Sequence, residues 1–191
     1  KIFFKNNIKK FKKKLQHFEY IYFTGITLSL LEHKNINNFM GLVNYFKKKN
    51  SKIVFDLNIR INRWSKKTLI LYLNKLLPKV DIFFASGEDF FYWKSSKKVY
   101  DFEKILNKFK ISHGIYRKNA QYNYAFYNNK KYMIKNKLLK KVVDTSGAGD
   151  GYNAAYLSNF LENYDPQKAL RFASGIGAKI VMKKGAIVDV K

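Results

Sequence analysis

Residues 52–85 read KIVFDLNIRINRWSKKTLILYLNKLLPKVDIFFA, and this stretch decides the fold class. Lys52 to Leu57 is a short β-branched and aromatic run, the composition of a strand. Lys66 to Leu77 carries apolar residues at helical spacing, and Ser65 stands just before it as an N-cap. Asp81 to Ala85 is a second strand of the same kind. Strand, helix and strand in immediate succession predict a right-handed crossover between parallel strands.

The same cycle extends in both directions. Upstream, residues 6–18 place Ile8, Phe11, Leu15 and Phe18 on one helical stripe with lysines on the other face. Glu19 to Phe23 predicts a buried strand that runs into a loop at Thr24-Gly25, and Ile36, Phe39, Met40, Val43 and Phe46 recur at helical spacing. Downstream, helices are expected around Glu88–Trp93 and Asp101–Phe109, then a strand at His113–Tyr116. A hairpin follows, Tyr122–Tyr127 and Lys131–Ile134 joined by Asn128-Asn129-Lys130, and two more helices lie after Asp150 and from Pro166 to about Met182. The alternation predicts an α/β fold with a mostly parallel sheet and ligands at the carboxyl ends of its strands. There is no internal repeat and no Gly/Ser- or Pro-rich linker, so a single domain over residues 1–191 is expected.

Composition narrows the classes. At 47% hydrophobic and 17% aromatic, the 191 residues are ample for one core, which argues against disorder despite the charge. With no cysteine, disulfides and thiolate metal sites are excluded, and His17, His33 and His113 are too scattered to form a metal cluster. No apolar run approaches a membrane span, and Lys1-Ile2-Phe3-Phe4-Lys5 lacks the hydrophobic region of a signal peptide, so a soluble, cytoplasmic protein without a membrane partner is expected. The absence of an initiator Met and the abrupt entry into a patterned segment predict that the sequence begins inside a longer protein. The net charge of +25 favours polyanions, but the lysines are spread over most segments and no zinc-finger or RNA-recognition signature accompanies them. No specific nucleic-acid partner is expected; a homo-oligomer is left open.

The chemistry concentrates in Asp144-Thr145-Ser146-Gly147-Ala148-Gly149-Asp150, between Val142-Val143 and a helical pattern that opens at Tyr152. Gly147, Ala148 and Gly149 leave backbone N–H groups free at the start of a helix, where unpaired donors and the positive dipole end attract phosphate oxygens. Asp150 places a carboxylate beside the same anion site. The amides can neutralise a phosphoryl group in transfer while the carboxylate takes a proton from an attacking hydroxyl. A plain Gly-rich helix start capped by Asp needs one Asp and not the whole string. No Gly-x4-Gly-Lys-Ser/Thr loop occurs, which argues against a P-loop nucleotidase.

A second polar group converges at Asp56-Leu57-Asn58-Ile59-Arg60, where a strand hands over to a loop. In an extended conformation Asp56, Asn58 and Arg60 project to one face, so a phosphate or carboxylate ligand meets both an amide and a guanidinium fork. A loop ion pair between Asp56 and Arg60 is the competing reading.

The motif at 144–150 resembles the Asp-Thr-x-Gly-Ala-Gly-Asp signature of the ribokinase-like (PfkB) carbohydrate kinases, and every fixed position is present. By that resemblance Asp150 is the catalytic base, and Gly147, Ala148 and Gly149 are the anion hole for the γ-phosphate. Asp56-x-Asn58-x-Arg60-x-x-x-Trp64 and Tyr22-Phe23-Thr24-Gly25-Ile26-Thr27-Leu28-Ser29-Leu30-Leu31 are similar to segments of the 2-keto-3-deoxygluconate kinases within that family. Asn58 and Arg60 thereby inherit places near the ATP phosphates and the sugar acid. Ser86-Gly87-Glu88-Asp89 corresponds to the family's Asn/Ser-x-x-Glu region, so Glu88 or Asp89 is expected to influence Mg²⁺ through water, an ordinary Ser cap being the alternative. Arg117-Lys118-Asn119-Ala120 falls where relatives carry a Lys-x-Gly-Ala nucleotide turn. Asn119 replaces the Gly, on the expectation that Asn tolerates a left-handed backbone. A solvated basic turn remains the alternative for Arg117 and Lys118. Ala173 to Ala178 and Lys184-Gly185-Ala186-Ile187 flank the adenine pocket in relatives. Phe3 and Lys5 stand where those kinases carry Tyr and Arg contacts to the substrate.

The resemblance implies a ribokinase-like, Rossmann-type three-layer sandwich, corresponding to the carboxyl-terminal two thirds of a family member with the small β lid largely missing. It implies ATP and Mg²⁺ as cofactors, and phosphorylation of a sugar acid, 2-keto-3-deoxygluconate, with Asp150 also touching the substrate. Fructokinase-like or ribokinase-like activity is the alternative within the family. An inactive basic fragment that binds polyanions is the alternative outside it.

Overall fold

The computed structural model describes residues 2–31, 35–63 and 65–190, with residues 2–6 described by their backbone alone. The side chains of Phe3 and Lys5, and the whole of His33 and Trp64, therefore lie outside the described residues. The chain forms two compact units, Lys1–Ile115 and Tyr116–Lys191. Among the described residues no helix is long and apolar enough to cross a membrane.

In the first unit the elements run α1 (Ile2–Leu15), β1 (Tyr20–Thr24), α2 (Gly25–Ser29), α3 (Ile36–Lys48), β2 (Lys52–Asp56), α4 (Lys66–Leu76), β3 (Ile82–Ser86), α5 (Gly87–Lys94) and α6 (Val99–Phe109). The opening residues of β4 (His113–Arg117) complete it. The strands lie in the order β1-β2-β3-β4. β1 pairs parallel with β2, Tyr22 opposite Val54 and Thr24 opposite Asp56, and β2 pairs parallel with β3, Phe55 opposite Phe83. Crossover helices between parallel strands are what the alternation at 52–85 requires.

Burial follows the sequence pattern closely in the centre. Ile53, Val54, Phe55 and Leu57 are fully buried, as are Phe83 and Phe84, because a strand covered on both faces has no polar positions to spare. The Phe55 ring stacks on Phe83 at 6.0 Å between centroids, and Phe83 stacks on Phe102 of α6 at 5.5 Å. Each such pair contributes about 0.5–1.5 kcal/mol beyond area burial. β1 is less covered than its composition implies: Phe23 is its one buried residue and Tyr22 is exposed. Phe18, expected on the stripe of the first helix, lies beyond the end of α1 and is exposed. Lys47 reaches both carboxylate oxygens of Asp81 at 2.7 Å, and the same carboxylate accepts the Ile53 N–H, which ties α3 to the start of β3 and to β2.

The second unit holds the rest of β4, then β5 (Tyr122–Tyr127), β6 (Lys130–Lys135), α7 (Ala148–Asn163) and α8 (Pro166–Val181). β5 and β6 are an antiparallel hairpin with Tyr127 opposite Lys130. Asn128 and Asn129 both take positive φ, 49° and 59°, the backbone that a two-residue hairpin turn needs and that Asn tolerates. α7 packs on α8 along its length, and α8 also packs on β5 and β6. A methyl built on Gly151 would stand 2.2 Å from Ile180 Cδ1, so this glycine lets α8 close on α7. Asp165 caps α8, accepting from the N–H groups of Gln167 and Lys168, with Pro166 in the first turn.

Candidate active site

In the second unit the Asp-Thr-Ser-Gly-Ala-Gly-Asp stretch is a turn that winds directly into α7. Gly147 is the N-cap, at φ 72°, and Asp150 lies in the first helical turn. The first N–H groups of a helix have no intrahelical acceptor. Here the Gly147 carbonyl accepts from Gly151 to open the ladder, and the Ala148 N–H folds back onto the Thr145 carbonyl at 3.2 Å. Asp150 is exposed and Gly147, Ala148 and Gly149 are half-buried, so the carboxylate is approachable, while the Ala148 N–H, expected free for an anion, is taken by the Thr145 carbonyl.

Asp144 organises the turn. Its Oδ1 accepts from the Ser146 N–H at 2.8 Å, and its Oδ2 accepts from the Gly185 N–H at 2.9 Å. The Ser146 amide chiefly, with its hydroxyl and the Gly185 amide, holds the Asp144 carboxyl below the usual carboxylate range. Val143 and Asp144 both donate to the Val181 carbonyl at the end of α8. The turn is thus fastened to the segment that follows α8, at the Lys184-Gly185-Ala186 stretch. A methyl on Gly147 would fall 2.5 Å from the Ala186 carbonyl oxygen, which is backbone and cannot swing away. Gly147→Ala therefore combines a left-handed backbone with a backbone clash. The expected result is a loss of about 1–3 kcal/mol of stability, read by denaturant unfolding beside Gly41→Ala, where a methyl meets nothing within 4 Å.

Arg117, at the end of β4, enters this turn. A methyl built on Gly149 would stand 3.0 and 3.4 Å from the two terminal nitrogens of its guanidinium, and the same guanidinium lies 5.4 Å from the centre of the buried Tyr152 ring. Burial raises the Tyr152 phenol and the Arg117 charge pulls it the other way. Arg117 is half-buried and packed, so the solvated-turn reading does not describe it. Lys118 donates its N–H to the Tyr122 carbonyl at 3.1 Å. Asn119 differs from expectation: it is not among the described residues with positive φ. Its side-chain oxygen instead accepts from the N–H groups of Gln121 and Tyr122, at 3.0 and 2.8 Å, so it closes the turn with its amide and not with a left-handed backbone.

The first unit carries the other predicted group. The extended run ends at Asp56, and Asn58 takes φ 25°, so the alternation that would set Asp56, Asn58 and Arg60 on one face is broken. Asp56 is buried while Arg60 is exposed. The loop is gripped from below, because a methyl on Gly25 would lie 2.0 Å from the Leu57 carbonyl oxygen and 3.0 Å from that of Asn58. The expected loop at Thr24-Gly25 is instead the start of α2, with the Thr24 N–H against the Thr27 hydroxyl at 3.4 Å. The two segments that carried the finer resemblance therefore touch each other through Gly25.

Glu88 and Asp89 separate cleanly. Glu88 is exposed, with Lys97 at 3.7 Å. Asp89 accepts the Ser86 hydroxyl at 2.7 Å and the Ile59 N–H at 2.8 Å, the latter in the loop between Asn58 and Arg60. Among the described residues no group of three or more His, Asp or Glu could hold a metal ion. A divalent ion carried on nucleotide phosphates needs no such cluster, because magnesium is held largely by phosphates and water. The grip of Gly185 on Asp144, the close pass of Gly151 and the Asp89 bond to Ile59 escape sequence reading; the one local signal was the extra glycine directly after Asp150.

Residues 2–191 match the family described as pfkB family carbohydrate kinase. The 2-dehydro-3-deoxygluconokinase of Haemophilus influenzae is 29% identical over 179 residues, which are 92% of this chain and 57% of that protein. The chain thus spans a little over half the length of the curated relatives it matches. The crystal structure of 2-dehydro-3-deoxygluconokinase from Thermotoga maritima superposes with a TM-score of 0.73 at 22% identity, covering 93% of this chain and 58% of that one. A ribokinase II from E. coli, solved in complex with ATP and Mg²⁺, superposes with a TM-score of 0.77 at 20% identity, covering 92% of this chain and 56% of that one. These likenesses establish the ribokinase-like α/β fold.

Proposed function

The chain belongs to the pfkB family of carbohydrate kinases, and from that membership we propose that the protein transfers the γ-phosphoryl group of ATP to the terminal hydroxyl of a sugar acid, 2-dehydro-3-deoxy-D-gluconate, giving the 6-phosphate and ADP. The observation that carries this reading is Asp150 in the first turn of α7, directly after Gly147 to Gly149, with the guanidinium of Arg117 against Gly149. The sugar acid is favoured by the names of the related proteins and by the Asp56-x-Asn58-x-Arg60 segment.

In this reading Asp150 takes the proton of the substrate hydroxyl as its oxygen forms a bond to the γ-phosphorus. The bond from that phosphorus to the β-bridging oxygen breaks and ADP leaves. The first amides of α7 and the Arg117 fork face the negative charge of the phosphoryl group in transfer, where preorganised donors contribute most. Asn58 and Arg60 are assigned to the nucleotide phosphates and the substrate carboxylate, Arg60 through a bidentate fork. Lys118 and Asn119 shape the nucleotide turn. Magnesium, bound to the phosphates of ATP, supplies charge neutralisation there. The two units act as one kinase domain in a cytoplasmic enzyme whose partners are ATP and the sugar acid.

The test is ATP consumption by the full chain as the cell makes it, offered 2-dehydro-3-deoxygluconate, fructose, ribose or no sugar. Turnover with the keto-deoxy acid alone is expected. Turnover with fructose or ribose instead would keep the kinase chemistry and remove the acid, whereas none with any sugar would overturn the reading.

A further inference from the structure

Asn58 is one of the few described residues without a glycine's freedom that take a positive φ, here 25°. Such a conformation costs on the order of 1–3 kcal/mol and persists only where neighbours over-determine it. The neighbours are visible on both sides. Before it, Leu57 donates its N–H to the Phe84 carbonyl at 2.9 Å, and the Leu57 and Asn58 carbonyls press on Gly25. After it, the Ile59 N–H is held at 2.8 Å by Asp89 Oδ1.

Asp89 is itself fixed. Its other oxygen accepts the Ser86 hydroxyl at 2.7 Å, and its N–H donates to the same Ser86 oxygen at 3.1 Å, so Ser86 caps the start of α5 and grips Asp89 twice. The next residue, Phe90, is fully buried and packs edge-on against Phe102 at 5.6 Å. The carboxylate is thus a rigid post on β3 and α5, and among the described residues its one long-range bond lands on the backbone between Asn58 and Arg60.

We propose that Asp89 is a positioning residue for the anion-binding loop: it holds the strained Asn58 and so sets where the Asn58 amide and the Arg60 guanidinium meet an anionic substrate. This rests on the assignment of Asn58 and Arg60 to substrate and phosphate. A loop displaced by about an ångström loses up to about 100-fold in efficiency although no contacting side chain has changed.

Steady-state kinetics of the full chain with 2-dehydro-3-deoxygluconate and ATP test it. Asp89→Ala is expected to raise KM for the acid about 10-fold or more, with a smaller change in kcat and an unchanged magnesium concentration for half-maximal rate. Asp89→Asn keeps an oxygen for the Ile59 N–H and is expected within about 3-fold of the parent, which separates positioning from failure to fold. Combined with Asn58→Ala, the Asp89→Ala effect is expected to be largely non-additive, because both act through one loop. A shift in the magnesium requirement with KM for the acid unmoved would overturn the proposal in favour of a metal role, and full additivity with Asn58→Ala would overturn it as well. If Asn58→Ala and Arg60→Ala both leave KM for acid and ATP unchanged, it is the binding assignment of the loop that fails, whatever Asp89→Ala does.

Discussion

Asp150→Asn is expected to lower kcat by about 10²- to 10⁴-fold, the range that a positioned general base contributes, while the dissociation constant for ATP moves by no more than about threefold. The substitution is nearly isosteric, and Asp150 is exposed in the first turn of α7, so neither packing nor the helix ladder is disturbed. What it removes is the acceptor for the substrate proton and a negative charge beside the first amides of the helix. Removing that charge, if anything, favours an approaching polyphosphate, so ATP affinity has no reason to fall. Single-turnover rates with ATP titrated separately would divide the two effects. A variant that turns over within threefold of the parent would remove Asp150 from the role of base.

Arg117→Ala carries the second large effect, an expected loss of about 10²- to 10³-fold in kcat, comparable to deleting one preorganised donor at a developing charge. The guanidinium lies between Gly149 and the face of the buried Tyr152 ring. A preorganised cation of this kind spends no reorganisation when the phosphoryl group moves. Arg117→Lys discriminates further. An ammonium keeps the charge but has no planar fork to lie on the Tyr152 ring or to address two phosphoryl oxygens, so recovery of about 10-fold over the Ala variant is expected and full recovery is not. Loss of the ring contact alone accounts for about 0.5–1 kcal/mol of stability, which thermal unfolding would register apart from turnover. If Arg117→Ala retained kcat and lost only stability, the residue would be a packing element of α7.

The elements that could be read from the sequence are those whose evidence is local. The β-branched runs at 52–57 and 81–85 and the periodic apolar positions of α3 and α4 each carry their own signal, and the structure places strands and helices there to within a residue or two. The hairpin turn was legible because paired Asn residues solve a backbone problem by themselves. Where the reading departed, the deciding contact was remote in the chain. Thr24-Gly25 looks like a strand end opening into a loop, yet the glycine is needed because the backbone at Leu57 passes against it, and α2 begins there. Asn58 leaves the extended conformation because Asp89 and Gly25 shape its surroundings, and neither is a neighbour in sequence. Asn119 invited a backbone argument and uses its side chain instead. The candidate site divides in the same way: the anion-site reading of residues 144–150 comes from their composition, whereas the fastening of Asp144 to Gly185 and the seat of Arg117 against Gly149 depend on chain segments that only folding brings near.

The bond from Asp144 to Gly185, with the Ala186 carbonyl packed over Gly147, spans some forty positions of chain. Its consequence is one of timing. As the polypeptide leaves the ribosome, β1, β2 and β3 have one another to pair with and can begin to order before the second unit is made, since domains consolidate from the amino-terminal side during synthesis. The turn at residues 144–150 cannot take its final form until Gly185 and Ala186 have been made and delivered. A nascent chain stalled before that point would carry every residue of the motif and still lack the turn, so the candidate site is completed only once the segment after α8 has emerged.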